Sequence, residues 1–285
     1  MGYLNHQQGY REGLLETRSV VKKEAYAVLT PDGLVNNVVP GFEDCDMSIL
    51  GSPRMGARFV DYLVTVKNNG GNKEGFGGDG IQTFLYVVYG NVTATVDGQT
   101  YELTEGGYIY VPPHLELKFE NNNNGEDSRL FLYKKRYQEA KNVSKPEVVT
   151  GNVNNIEAKA YEGMEEVLVQ DLLPADISFD MNIHILSFKP GASHGYIETH
   201  VQEHGAYVLS GRGMYNLDNN WMPVDKGDYI FMGAYALQAT YAVGLDEPFA
   251  YIYSKDANRD IELYVIREIP GGESRVRRTC IIKFS

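Results

Sequence analysis

Cysteine is scarce in this chain, and the two that occur, Cys45 and Cys280, stand far apart. Their scarcity excludes a disulfide framework, and no Cys-x-x-Cys motif is present. A reducing cytoplasm is the expected compartment, and the N-terminus lacks the charged-then-apolar layout of a secretory leader. No apolar run is long enough to span a bilayer. Basic residues are also in deficit: 26 Lys and Arg face 38 Asp and Glu, for a net charge of -12. With no basic stripe to set against that balance, nucleic acid and anionic membranes are not expected partners. A sustained helical period is missing too, and only residues 11–22 fit a short helix.

What the chain has in abundance is glycine and tyrosine, 30 and 21 of them in 285 residues. That composition suits short strands joined by tight turns. The organising fact is an internal duplication at an offset of 121 residues. Sliding the second half back by that amount, without a gap, puts Pro174 on Pro53, Gly191 on Gly70, Tyr207 and Val208 on Tyr86 and Val87, and Gly211 on Gly90. Asp218 then meets Asp97, Gly227 meets Gly106, Tyr229 and Ile230 meet Tyr108 and Ile109, and Lys255 meets Lys134. Each repeat reads as a series of short strands, in the first at 59–67, 83–89, 91–96, 108–111 and 130–134. Ahead of them, the stretch from Tyr26 to the Pro-Asp-Gly turn at 31–33 and the stretch 34–40 are further strand candidates. The expected class is all-β, two sandwiches or barrels side by side. The expected units are residues 1–140 (an arm and a first barrel), 141–160 (a connection with an added strand at 147–150) and 161–262 (a second barrel). Residues 263–285, a basic tail, fit neither repeat.

Chemistry concentrates in the second repeat, in Glu198-Thr-His200-Val-Gln-Glu-His204. In an extended strand the even spacings put Glu198, His200 and His204 on one face. Gln238 supplies a fourth donor from the strand region after Gly227. Two imidazoles, a carboxylate and an amide, with no thiolate, suit Mn²⁺ or Fe²⁺ and also accept Zn²⁺ or Ni²⁺. One carboxylate leaves such a centre with a net positive charge of about one, which favours an anionic ligand. The first repeat has Gly77, Asp79, Thr83 and Leu117 at the same four positions, so one barrel is expected to be a site and the other scaffold. The site half also gains phenols: Tyr215 replaces Ala94 and Tyr251 replaces Leu130, with Tyr253 and Lys255 on the same strand face as Tyr251. Asn182, His184 and His194 are weaker candidates.

The pattern Gly191-x6-Glu198-x-His200-x3-His204-x6-Gly211, followed by Gly227-x10-Gln238, resembles the two cupin motifs, with Glu in place of the first His and His in place of the Glu. That resemblance implies a bicupin, two jelly-roll β-barrels. The stretch from Ser193 to Gly211, the run Tyr215-Asn-Leu-Asp-Asn-Asn-Trp221 and the run Gly227-Asp-Tyr-Ile-Phe-Met-Gly-Ala-Tyr235 look like the (S)-ureidoglycine aminohydrolase family, as do Gly2-Tyr-Leu-Asn and the Leu-Thr-Pro-Asp-Gly33 opening. Over residues 1–262 the resemblance implies a manganese-dependent enzyme that removes ammonia from ureidoglycine in allantoin breakdown. It implies metal ligands at Glu198, His200, His204 and Gln238, and contacts to a small anionic ureido substrate from Glu198, Tyr215, Tyr251 and Lys255. Lys255 and Tyr251 are then the expected catalytic pair, since a nearby cation favours a neutral lysine and a deprotonated tyrosine. The readings from other classes are an oxalate-type oxidase or decarboxylase, an iron dioxygenase, or a non-catalytic binding cupin. Exposed strand edges and surface tyrosines predict a homo-oligomer.

Overall fold

Val92, Ala94 and Val96 are buried while Thr93 and Thr95 between them are half-buried, and Leu117 and Phe119 alternate with exposed neighbours in the same way. This period-two burial is what a strand closing over an apolar interior requires. It recurs along the chain in the computed structural model, which describes residues 18–257. Among the described residues the only helical turns are two short 3-10 turns, Pro31–Gly33 and Val153–Asn155. None is long and apolar enough to cross a membrane.

Two all-β barrels result. In the first, the strand Phe59–Gly77 is 19 residues long and serves both walls. Its first part pairs with Ser128–Arg136, and its last part pairs with Glu116–Asn121. The second barrel splits into a large sheet and a three-stranded one, Asn220–Asp225, Arg212–Leu217 and Gln238–Ala242. The offset of 121 carries through to the pairing. Thr83 faces Val111 in the first barrel, and His204 faces Met232 in the second. Several matched positions keep their identity for a backbone reason: Gly90 and Gly211, Asp97 and Asp218, and Gly106 and Gly227 all hold positive φ. That region favours Gly and tolerates Asp.

The two ends of the expected domain plan need correcting. Tyr26–Leu29 pairs with Tyr229–Met232, so the arm grouped with the first barrel extends the sheet of the second. Val149–Asn152, in the connection, pairs with Gly107–Val111 of the first barrel. Each barrel thus receives a strand on the corresponding edge, and both otherwise open edges are paired. The helix expected at 11–22 is also replaced where it can be followed: Val20–Lys22 is a strand paired with Tyr26–Leu29. Residues 11–17 and the 263–285 tail lie outside the described residues. Of the stretch 34–40, only Asn36–Asn37 is strand.

Aromatic side chains fill the space between the barrels. Phe59, Phe84, Phe131 and Tyr133 of the first repeat pack with Phe179, Tyr207, Tyr229 and Phe231 of the second in one buried cluster. Phe131 stacks on Tyr207 at 6.1 Å between ring centroids. The interior of the first barrel is mostly aliphatic, with Val64, Val66, Leu85, Val87 and Leu132 beside Tyr62, Phe76 and Phe119. The second carries Tyr215 and Tyr251 inside.

Candidate metal centre

His204 opens the strand His204–Ser210, but the residues before it do not form a strand. The segment from Gly191 runs in irregular conformation beside the strand Gln238–Ala242, touching it through isolated bridges of Ser193 with Tyr241 and of Glu198 with Gln238. At the Glu198 end the contact is reciprocal. Two main-chain hydrogen bonds of 2.9 Å make that bridge, and Tyr235 N–H donates to His200 O at 2.7 Å. The common strand face expected for Glu198, His200 and His204 is therefore replaced by a loop pinned to the Gln238 strand. Nonlocal main-chain bonds decide its course, and even spacing alone does not report them.

The loop brings the two imidazoles together. His204 Nδ1 lies 2.7 Å from Ser254 O, and His200 Nδ1 lies 3.1 Å from Gln202 O. A carbonyl only accepts, so each Nδ1 carries the proton and each Nε2 presents a lone pair. Those Nε2 atoms stand 3.2 Å apart, and Gln238 Nε2 stands 2.7 Å from that of His200. Burial holds His204 neutral, with its pKa lowered to about 3, and the neighbouring His200 and Lys255 push the same way. Burial lowers His200 as well, again with Lys255 contributing. Two neutral imidazoles with fixed tautomers and converging lone pairs fit a divalent cation, and the Gln238 amide, whose nitrogen faces His200, would offer its oxygen as a third donor on turning over. The Glu198 carboxylate stands apart from this set. Among the described residues, no three His, Cys, Asp or Glu side chains lie close enough together to hold a metal. Burial raises the Glu198 carboxyl, Glu162 adds to this, and Lys255 opposes it.

The interior beyond the imidazoles is phenolic. The Tyr215 hydroxyl donates to the Tyr251 hydroxyl at 3.4 Å, and Tyr253 meets the His204 ring edge-on at 5.2 Å between centroids. Burial pushes Tyr215, Tyr251 and Tyr253 well above the ordinary phenol value, so in this environment they are neutral donors. Lys255 ends the strand Phe249–Lys255 and acts electrostatically on Glu198, His200 and His204 together. Its twin Lys134 lies instead over the rings of Tyr62 and Phe76, at 5.4 and 5.3 Å. Asn182 pairs with Lys255 in the sheet, and His184 packs against the Tyr253 ring at 5.2 Å while its Nδ1 lies 2.7 Å from Asp171. His194 packs between Tyr161 and Tyr196 at the rim.

Comparison with known proteins identifies the fold and the family. A profile of the EutQ-like cupin domain matches residues 55–137, and one of the cupin domain matches residues 184–244. A curated (S)-ureidoglycine aminohydrolase of Escherichia coli is 62% identical over 263 residues, spanning 92% of this chain and 100% of that protein. This chain belongs to the (S)-ureidoglycine aminohydrolase family. The Arabidopsis thaliana member is 31% identical and covers 86% of the chain and 79% of its own length. Among solved structures, that of protein Ylba from E. coli superposes with a TM-score of 0.80 at 59% identity, over 90% of this chain and 100% of that one. A Lactobacillus farciminis oxalate decarboxylase, with TM-score 0.62 and 10% identity over 81% of this chain and 86% of its own, shares the bicupin fold.

Several side chains at this aminohydrolase-family site escaped the sequence reading. Tyr161 feels Glu198, Glu162 and Tyr215. Tyr196 donates to Glu162, bridging the loop to the turn after Tyr161. Glu203, between His200 and His204, is buried and bound by Arg58 of the first barrel. Glu203 was visible as an acid inside the motif, at odd parity to Glu198, His200 and His204. Arg58 carries no local signal, since Phe179 stands at its place in the second repeat.

Proposed function

We propose that the second barrel binds one Mn²⁺ through Glu198, His200, His204 and Gln238, and hydrolyses (S)-ureidoglycine to (S)-ureidoglycolate and ammonia in allantoin breakdown. The observation that carries the reading is the converging pair of imidazole lone pairs beside an ammonium and two phenols. The bound cation supplies a Lewis-acidic, positively charged anchor for the substrate carboxylate. Glu198, joined to Gln238 through the main chain, would bring the donor set to four by turning its carboxylate toward the imidazoles.

The chain's own residues do the rest. Tyr215 and Tyr251, neutral and buried, donate hydrogen bonds that orient the substrate and keep bulk water from the reacting carbon. The amine leaves readily only as ammonia, so Lys255 gives it a proton as the carbon–nitrogen bond breaks. The ureido nitrogen supplies the electron pair that forms the transient carbon–nitrogen double bond. Water then adds to that carbon from the open face, and Lys255 takes back the proton the water releases. The same fold in an oxalate decarboxylase speaks for the architecture alone. Ammonia release without oxygen consumption, from ureidoglycine generated in situ from allantoate, is the test. Oxygen uptake, or no ammonia, refutes the reading.

The substrate is accordingly a small anion with a ureido group. Two isolated cysteines suit a cytoplasmic setting, and edge strands such as Gln99–Leu103 offer surfaces for a homo-oligomer.

A further inference from the structure

We infer that Arg58, on the metal-free barrel, is a positioning residue for the metal centre of the other barrel. The inference rests on the proposed metal reading of His200 and His204. Arg58 precedes the strand Phe59–Gly77, and it reaches across the interface with both main chain and side chain. Its backbone N–H donates to one oxygen of Glu203 at 2.8 Å, and its Nε donates to the other at 3.0 Å. One terminal nitrogen donates to Val201 O at 3.3 Å, and the same nitrogen is ion-paired with Asp256 at 3.1 Å. Val201 and Glu203 lie between the two ligand histidines, and Asp256 follows Lys255.

The two segments are also zipped to each other. Glu203 N–H donates to the Asp256 carboxylate at 2.8 Å, and Asp256 N–H donates to Glu203 O at 3.2 Å. Next along, Ser254 O fixes the His204 tautomer. Arg58 is therefore the cation at a junction where the ligand loop, the Lys255 strand and the first barrel meet. The Glu203 and Asp256 side chains are only 7% and 1% exposed, so without Arg58 two buried carboxylates would face each other with Lys135, already paired to Asp180, as the remaining nearby cation. Repulsion between them would drive the 201–204 segment off the 254–256 segment, and the imidazole pair would lose its spacing. The scaffold barrel thus holds the site in register.

The test is Mn²⁺ affinity, read by competition with a fluorescent chelator in the full-length protein. Arg58→Met is expected to weaken binding by about 10–100-fold, the usual cost of losing an outer partner of a metal ligand. Arg58→Lys keeps the charge but not the two-point grip, and should fall in between; it carries the test if Arg58→Met does not fold. The control is Arg18→Met, which breaks an ion pair of similar exposure to Asp228, 2.8 Å, in the second barrel. It should leave affinity unchanged. Unaltered affinity in both Arg58 variants, or an equal loss in Arg18→Met, overturns the inference. Absence of binding in the unmodified protein overturns the metal reading and this inference with it.

Discussion

The Nε2 atoms of His200 and His204 face each other across 3.2 Å, with both Nδ1 atoms committed to backbone carbonyls. Neither ring can turn its N–H inward without giving up its carbonyl. The pair is therefore set up to share a cation, and the cost of holding the two lone pairs together is met by the fold around Ser254 and Gln202.

Metal content follows directly. The protein purified in Mn²⁺ should hold close to one equivalent per chain, and His204→Ala or His200→Ala should lose most of it. Elemental analysis after dialysis is the measurement. Two equivalents in the unmodified protein would mean that the first barrel, with Thr83 and Leu117 at the ligand positions, also binds.

Lys255 is the residue whose removal separates binding from turnover. Lys255→Met should keep its manganese and bind substrate, while kcat falls by about 10²–10⁴, the usual share of a general acid–base group. Near-normal turnover would reduce Lys255 to a wall residue like Lys134.

The duplication was legible in the sequence because turns that need positive φ keep Gly and Asp at matched positions. Gln238 was legible for the same reason, at a fixed distance from Gly227. The path of the 198–204 segment was not, because its even spacing reads the same for a strand and for a loop pinned by Gln238. The crossed-over arm strand and the Arg58–Glu203 contact were hidden for another reason. Both are pairings between residues more than a hundred positions apart, set by how the barrels dock rather than by local pattern.

Asp61 makes stability depend on pH. It is fully buried, accepts from the Tyr229 hydroxyl at 2.6 Å and leaves its other oxygen without a partner. Burial raises it to about 8, with the Tyr229 hydrogen bond pulling the other way, and the buried Tyr133 phenol lies nearby. In the unfolded chain the carboxyl loses its proton near pH ~4. Across pH ~4 to 8 the folded state alone keeps that proton, so its contribution is full below this window and is lost as pH rises, by at most about 1.4 kcal/mol per unit. Asp61→Asn, the residue found at the equivalent position 182, should flatten the fall of Tm between pH 5 and 9 and gain most at the alkaline end. Parallel curves for the two proteins would contradict this.

Gly205 marks the closest approach of the barrels. A Cβ there would meet Asp61 Oδ2 at 1.8 Å and the Tyr229 hydroxyl at 2.5 Å. Both belong to buried side chains with no room to move, so Gly205→Ala should cost about 1–3 kcal/mol in denaturant unfolding. A neutral substitution would mean that the interface yields more easily than its packing suggests.

Ammonia release by the metal-stripped protein, followed as Mn²⁺ is returned stepwise, tests the central claim most directly. Ureidoglycine is the substrate, and oxygen is monitored alongside. The account predicts negligible release without metal and a linear recovery that breaks at one Mn²⁺ per chain, with no oxygen consumed. Full release from the stripped protein, or a break at two equivalents, would contradict it.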